Sequence, residues 1–121
     1  MTYQDAMEYR RIQEELPVLR DRLSTMDSLY YNIDGAGKRI KRLSNEEWSA
    51  INRQITSYTA KCEQFERWLA TVPDRLIQTY MYMRFVDGLT WAQIGKKMHC
   101  KGPTARKAVQ RYFDKEAREN V

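Results

Sequence analysis

Gly88-Leu89-Thr90-Trp91-Ala92-Gln93-Ile94-Gly95-Lys96-Lys97-Met98-His99-Cys100-Lys101-Gly102-Pro103 is the stretch whose reading decides the fold of this 121-residue chain. Thr90 and Gln93 stand at the spacing of a capping box, in which the hydroxyl accepts from a first-turn amide and the longer side chain reaches back. A short helix over 91–98 follows from that start. Ile94 and Met98 lie one turn apart on its inner side, with Gly95 beside them where another helix can pass close. His99-Cys100-Lys101 then makes a tight connection, and Gly102-Pro103 opens a further helix, because a proline ring is preset for the first helical turn. On that helix Ala105, Ala108, Val109 and Tyr112 form the apolar side, while Thr104, Arg106, Lys107, Gln110 and Arg111 share the opposite one. A short helix, a brief turn and a longer helix with a basic outer face describe a helix-turn-helix, whose second helix enters the major groove of DNA. The bland alternative is an ordinary helix pair with a solvated basic face. Spacing, caps and charge agree on the first.

The charge of the whole chain, +5 from 21 Lys and Arg against 16 Asp and Glu, says little until it is located. Residues 1–72 carry 11 bases and 11 acids, and residues 73–121 carry 10 bases and 5 acids, so the entire excess lies in the C-terminal part. Between Gly88 and Phe113 there is no acid at all, yet Lys96, Lys97, Lys101, Arg106, Lys107 and Arg111 fall there. Such a local field draws polyanions by counterion release. Arginine pairs bidentately with guanine and glutamine with adenine, while lysine and threonine anchor phosphates. The candidate DNA-contacting set is therefore Thr90, Lys96, Lys97, Lys101, Thr104, Arg106, Lys107, Gln110 and Arg111.

Upstream, Val72-Pro73-Asp74 marks a boundary, since proline disfavours helix in the residue before it. A helix is expected to start at Pro73 and run to Val86 on the pattern Leu76, Ile77, Tyr80, Met81, Arg84, Phe85, with Asp87-Gly88 supplying a left-handed stop. Further back stand two heptad stripes: Tyr9, Ile12, Leu16, Leu19, Leu23, Met26 and Tyr30, then Trp48, Ile51, Ile55, Tyr58, Cys62, Phe65 and Leu69. Each puts its apolar residues on one side of a helix, as in a coiled-coil seam. Burial contributes about 1.5–3 kcal/mol per such side chain before entropy is subtracted. Pro17 should kink or briefly break the first helix, and Ser44 with Glu47 should cap the second. The resulting expectation is an all-α chain: an antiparallel, coiled-coil-like helical hairpin in residues 1–72, followed by a helix-turn-helix unit in 73–121. The two seams can be satisfied against each other within one hairpin, which leaves a monomer, or against a second copy as a homodimer. Little else to pack on, and Trp68 beside the seam rather than in it, point to the homodimer.

The stretch from Arg84-Phe85 through Gly88-Leu89-Thr90-Trp91 to Lys96-Lys97-Met98 resembles the promoter-reading region four of sigma-70-type factors, where an arginine-aromatic pair precedes "GLTWEEIA" and a short basic helix. The layout of the chain is similar to short phage and prophage sigma-like regulators, including the ArpU type that control late genes. This resemblance implies that Thr104, Arg106, Lys107, Gln110 and Arg111 face DNA and that host RNA polymerase is a partner. It also implies that Ala105 fills the buried slot usually held by valine, and Cys100 the one usually held by isoleucine. His99 departs from the family's common glycine, and Gly102-Pro103 from its serine-type cap. Nothing in residues 1–72 resembles the DNA-melting domain of a complete sigma factor.

Other chemistries fare worse. Gly35-Ala36-Gly37-Lys38-Arg39 lacks the four-residue spacing between glycines and the hydroxyl residue of a phosphate-binding loop, and reads as a linker. Lys38, Arg39, Lys41 and Arg42 read as a solvated loop. One histidine and two cysteines, Cys62 and Cys100, make neither a catalytic dyad nor a metal set. Glu14-Glu15 and Glu46-Glu47 are adjacent and diverge on their helices, and Trp48, Trp68 and Trp91 read as core aromatics. No enzyme activity, cofactor or metal is expected. The polar start from Met1 to Arg11, and the lack of an apolar run near the roughly 20 residues of a membrane helix, place the chain in the cytoplasm without membrane contact. Sequence-specific duplex DNA binding for transcription control is the leading reading. A DNA-packaging recognition subunit of the small-terminase kind, or a helix-turn-helix that docks on protein, are the runners-up.

Overall fold

Thr2 and Asp5 open the first helix with a reciprocal cap: the Asp5 amide donates to Thr2 Oγ1 at 3.1 Å, and the Thr2 amide donates to the Asp5 carboxylate at 2.9 Å. From that cap α1 runs over Tyr3–Tyr31. The computed structural model describes the backbone of residues 1–31 and 45–119, and the side chains of 1–24 and 46–119. Within those residues every regular element is helical: α2 (Asn45–Ala70), α3 (Arg75–Met81), a π-helical turn (Tyr82–Val86), α4 (Trp91–Met98) and α5 (Gly102–Glu119). The expected Ser44–Glu47 cap, the 35–42 loop and the side chains of Met26 and Tyr30 lie outside the described residues.

Pro17 does not break α1, which continues through it. The ring forfeits one backbone bond, to the Gln13 carbonyl, and the apolar stripe holds its phase across the gap. Tyr9, Ile12 and Leu16 of that stripe are buried against Cys62, Phe65 and Leu69 of α2. Tyr9 Oη donates to Glu66 Oε1 at 2.8 Å, and Gln13 Nε2 donates to Cys62 Sγ at 3.4 Å, so the pairing descends α2 as it ascends α1. Burial first, then the Glu66 bond, pushes the Tyr9 phenol well above its ordinary value, and burial likewise raises the Cys62 thiol.

The second stripe is less uniform than its spacing suggests. Ile51 is buried and Ile55 and Tyr58 half-buried, but Trp48 is 40% exposed and is not a core aromatic. Trp68 and Trp91 do pack against the core.

The two N-terminal helices also find more to pack on than their sequence suggests. One buried cluster joins them to the C-terminal half through Ile77, Tyr80, Met81, Phe85, Ile94, Ala105, Val109 and Phe113. Phe85 is its hub, fully buried and edge-on to Tyr3 of α1, Phe65 of α2 and Trp91 of α4. Trp68, whose position beside the seam argued for a second copy, is covered by α5 of its own chain. Its ring stacks on Phe113 at 5.4 Å and its indole N–H donates to Glu116 at 2.8 Å.

Two features of the segment expected as one helix over 73–86 differ from the expectation. Asp74, not Pro73, starts α3: its carboxylate accepts from the amides of Leu76 and Ile77, so Pro73 stands outside the helix. The last turn, Tyr82–Val86, widens to a π turn closed by the Asp87 amide on the Tyr82 carbonyl at 2.9 Å. Local pattern cannot announce such a bulge, because Phe85 is seated by side chains from three other helices. Leu76, counted on the apolar side, is half exposed.

Candidate nucleic-acid interface

The candidate interface is built by local signals that each reach only a few residues. Gly88 takes φ +77°, a left-handed stop that a side chain would strain, and the guanidinium of Arg10 from α1 lies directly over it. Arg84 Nη1 donates to the Leu89 carbonyl at 3.2 Å, and its guanidinium lies 5.8 Å from the Trp91 ring centre. Thr90 then caps α4. Its hydroxyl oxygen accepts from the Gln93 amide at 3.2 Å, and Gln93 Oε1 accepts from the Thr90 amide at 2.9 Å. That capping box stands where the spacing placed it, and α4 covers the expected residues. The bond leaves the Thr90 hydroxyl proton free to donate outward.

Between α4 and α5 the chain turns within three residues. His99 closes α4 in the left-handed region at φ 55°, a conformation that a side chain rarely adopts, and the Cys100 amide donates to the Gly95 carbonyl at 2.9 Å. A Cβ on Gly95 would stand 2.6 Å from the Cys100 carbonyl oxygen and 2.8 Å from the Gly102 nitrogen. What passes close to Gly95 is thus the turn itself rather than the body of a second helix. Cys100 is half-buried rather than fully enclosed, with its sulfur 3.9 Å from the Tyr80 hydroxyl. Burial, then that contact, raises the Tyr80 phenol.

On α5 the spacing of four and four puts Ala105, Val109 and Phe113 in one buried row, with Ala108 and Tyr112 half-buried beside it. Phe113 joins the core beyond the expected apolar side, and its distance of four from Val109 is the signal that marks it. Thr104, Arg106, Lys107 and Arg111 are exposed on the other side, and Gln110 is half-buried at its edge. Lys96, Lys97 and Lys101 are exposed on α4 and the turn.

Among the described residues, none of the six cations Lys96, Lys97, Lys101, Arg106, Lys107 and Arg111 has a carboxylate within salt-bridge distance. The acid-free run from Gly88 to Phe113 leaves five of them without a counter-charge within a turn, and Arg111, which has Asp114 three residues on, forms no ion pair with it. The result is a solvated positive surface on two rigidly joined helices.

Three residues outside the candidate set also shape this surface. Arg84 braces the entry to α4, Arg10 covers Gly88 and donates to the Val86 carbonyl at 3.4 Å, and Glu116 receives the Trp68 indole. No periodicity announces these contacts, because their partners are not on the same helix. Among the described residues no group of three His, Cys, Asp or Glu converges as a metal site, and no helix is long and apolar enough to cross a membrane. No protein-family model, curated protein or solved structure matches the chain.

Proposed function

We propose that the chain is a sequence-specific, double-stranded DNA-binding transcription regulator that works in the cytoplasm, of the sigma-70 region-four-like, phage or prophage kind. In this reading α1 and α2 form an antiparallel, coiled-coil-like hairpin, and α4 and α5 form the helix-turn-helix. Thr104, Arg106, Lys107, Gln110 and Arg111 on α5 read the major groove. Thr90, Lys96, Lys97 and Lys101 hold phosphates, and host RNA polymerase is the protein partner that the resemblance implies. One observation carries the reading: α5 is sealed into the core along Ala105, Val109 and Phe113, while its outward cations have no acidic partner among the described residues.

Titration with duplexes at several salt concentrations tests it. Arg106→Ala should weaken the preferred duplex by about 1–3 kcal/mol and blunt discrimination between sequences. Lys96→Ala should weaken every duplex about equally and lower the salt slope by about one. Unchanged affinity in a triple alanine variant of Arg106, Lys107 and Arg111 ends the DNA reading.

A further inference from the structure

The base-reading half of α5 precedes Phe113, and what holds its other end is not part of the α4–α5 pair. Trp68, near the end of α2, lays its ring on Phe113 with centroids 5.4 Å apart and planes 19° from parallel. Its indole N–H donates to Glu116 Oε1 at 2.8 Å, one helical turn further on. Tyr3 of α1 meets the same Phe113 edge-on at 5.8 Å. A helix fixed only by its N-terminal turn can pivot about that turn, and a recognition side chain must be held to within about half an ångström to read a base edge.

We infer that Trp68 and Glu116 are positioning residues: they clamp the far end of α5 so that its outer face meets the groove at one angle. This rests on the proposed reading of α5 as the recognition helix and adds that α2, outside the helix-turn-helix, sets its specificity. The bond is directional, with a single donor and a single oriented acceptor. The other carboxylate oxygen of Glu116 is buried and without a partner, so the group is kept inside at a cost that the indole bond offsets. Removing the carboxylate relieves that cost and frees the helix end together, which sets Glu116 apart from an ordinary core residue. Phosphate contacts from α4 do not pass through this clamp, so the inference separates base reading from general affinity.

The test is selection of a preferred duplex from a random-sequence library by the full chain, followed by titration of that duplex and of an unselected one. Glu116→Ala should reduce the ratio of the two affinities about tenfold while leaving the unselected duplex unchanged. Trp68→Phe, which keeps a ring on Phe113 but has no N–H to donate, should do the same. Glu116→Gln, whose amide oxygen still accepts from the indole, should restore the parental ratio. A purely structural role would shift melting temperature and leave the ratio intact in folded protein. If the parent selects a duplex and both Glu116→Ala and Trp68→Phe keep its ratio, the clamp is overturned and the DNA reading stands. If the parent selects none, the DNA reading itself falls and the clamp's role in specificity falls with it. Glu116→Ala leaves the Trp68 ring on Phe113, so it stays informative should Trp68→Phe fail to fold.

Discussion

The surfaces of α1–α2 and of α4–α5 treat charge in opposite ways. On the first, Arg10 pairs with Glu14, Arg11 with Glu8 and Glu15, and Lys61 of α2 with Glu8 of α1. On the second, between Gly88 and Phe113, no cation has an ion-pair partner among the described residues. Exposed pairs of the first kind contribute little to stability, so their presence is weak evidence about folding. Their absence on the second surface is the more informative fact. An unpaired cluster gives up the small gain of pairing and keeps its field for an outside anion.

The contrast of surfaces sits on a shared interior, and the largest expected effect comes from attacking that interior. Phe85→Ala removes the ring that touches α1, α2 and α4 at once, and should destabilise the protein by about 3–5 kcal/mol. Thermal melting followed separately by tyrosine and by backbone signals should show one transition, displaced as a whole. Two transitions, of which only one moves, would mean that the N- and C-terminal halves unfold independently and that the shared core does not couple them.

A smaller effect is expected from a change confined to the second region. Gly95→Ala forces a methyl against the turn backbone, and should destabilise by about 2 kcal/mol, the crowding outweighing the gain in helix propensity. Chemical denaturation measures it. A stabilised variant would show that the turn between α4 and α5 yields, and that the two basic faces are not held rigidly to each other.

The smallest effect concerns the titrating groups raised chiefly by burial: Tyr9 and Cys62 in the first region, Tyr112 in the second, and Tyr80 on α3 between them in the chain. A raised acid keeps its proton longer in the folded chain than in the unfolded one. Its contribution to stability is full below the ordinary value, 9.0 for the thiol and 10.0 for the phenols, and is lost as pH rises beyond it. Melting temperature should therefore fall above about pH 9, and Tyr9→Phe should make that fall shallower. An equally steep alkaline decline in Tyr9→Phe would shift the sensitivity to the other raised groups, Cys62, Tyr80 and Tyr112.

What could be read from the sequence about this protein is what short-range chemistry dictates. The Thr90–Gln93 cap, the left-handed stop at Gly88, the bounds of α4 and the outward set on α5 each depend on residues within a turn or two of one another. The helical content of the chain and the burial of Tyr9, Ile12, Leu16, Phe65 and Leu69 followed from spacing of three and four. Tertiary structure decided the rest. Trp68 meets Glu116 across 48 residues, Tyr9 meets Glu66 across 57, and Arg10 meets Val86 across 76. Periodicity tells which side of a helix must be covered, but an apolar stripe is satisfied equally well by any apolar neighbour. Trp48 left 40% exposed, Trp68 taken up by α5 and the π turn around Phe85 are therefore outcomes of how the helices come together. Burial energy has no direction of its own, whereas a cap does, and that difference separates the features legible in the chain from those that required the fold.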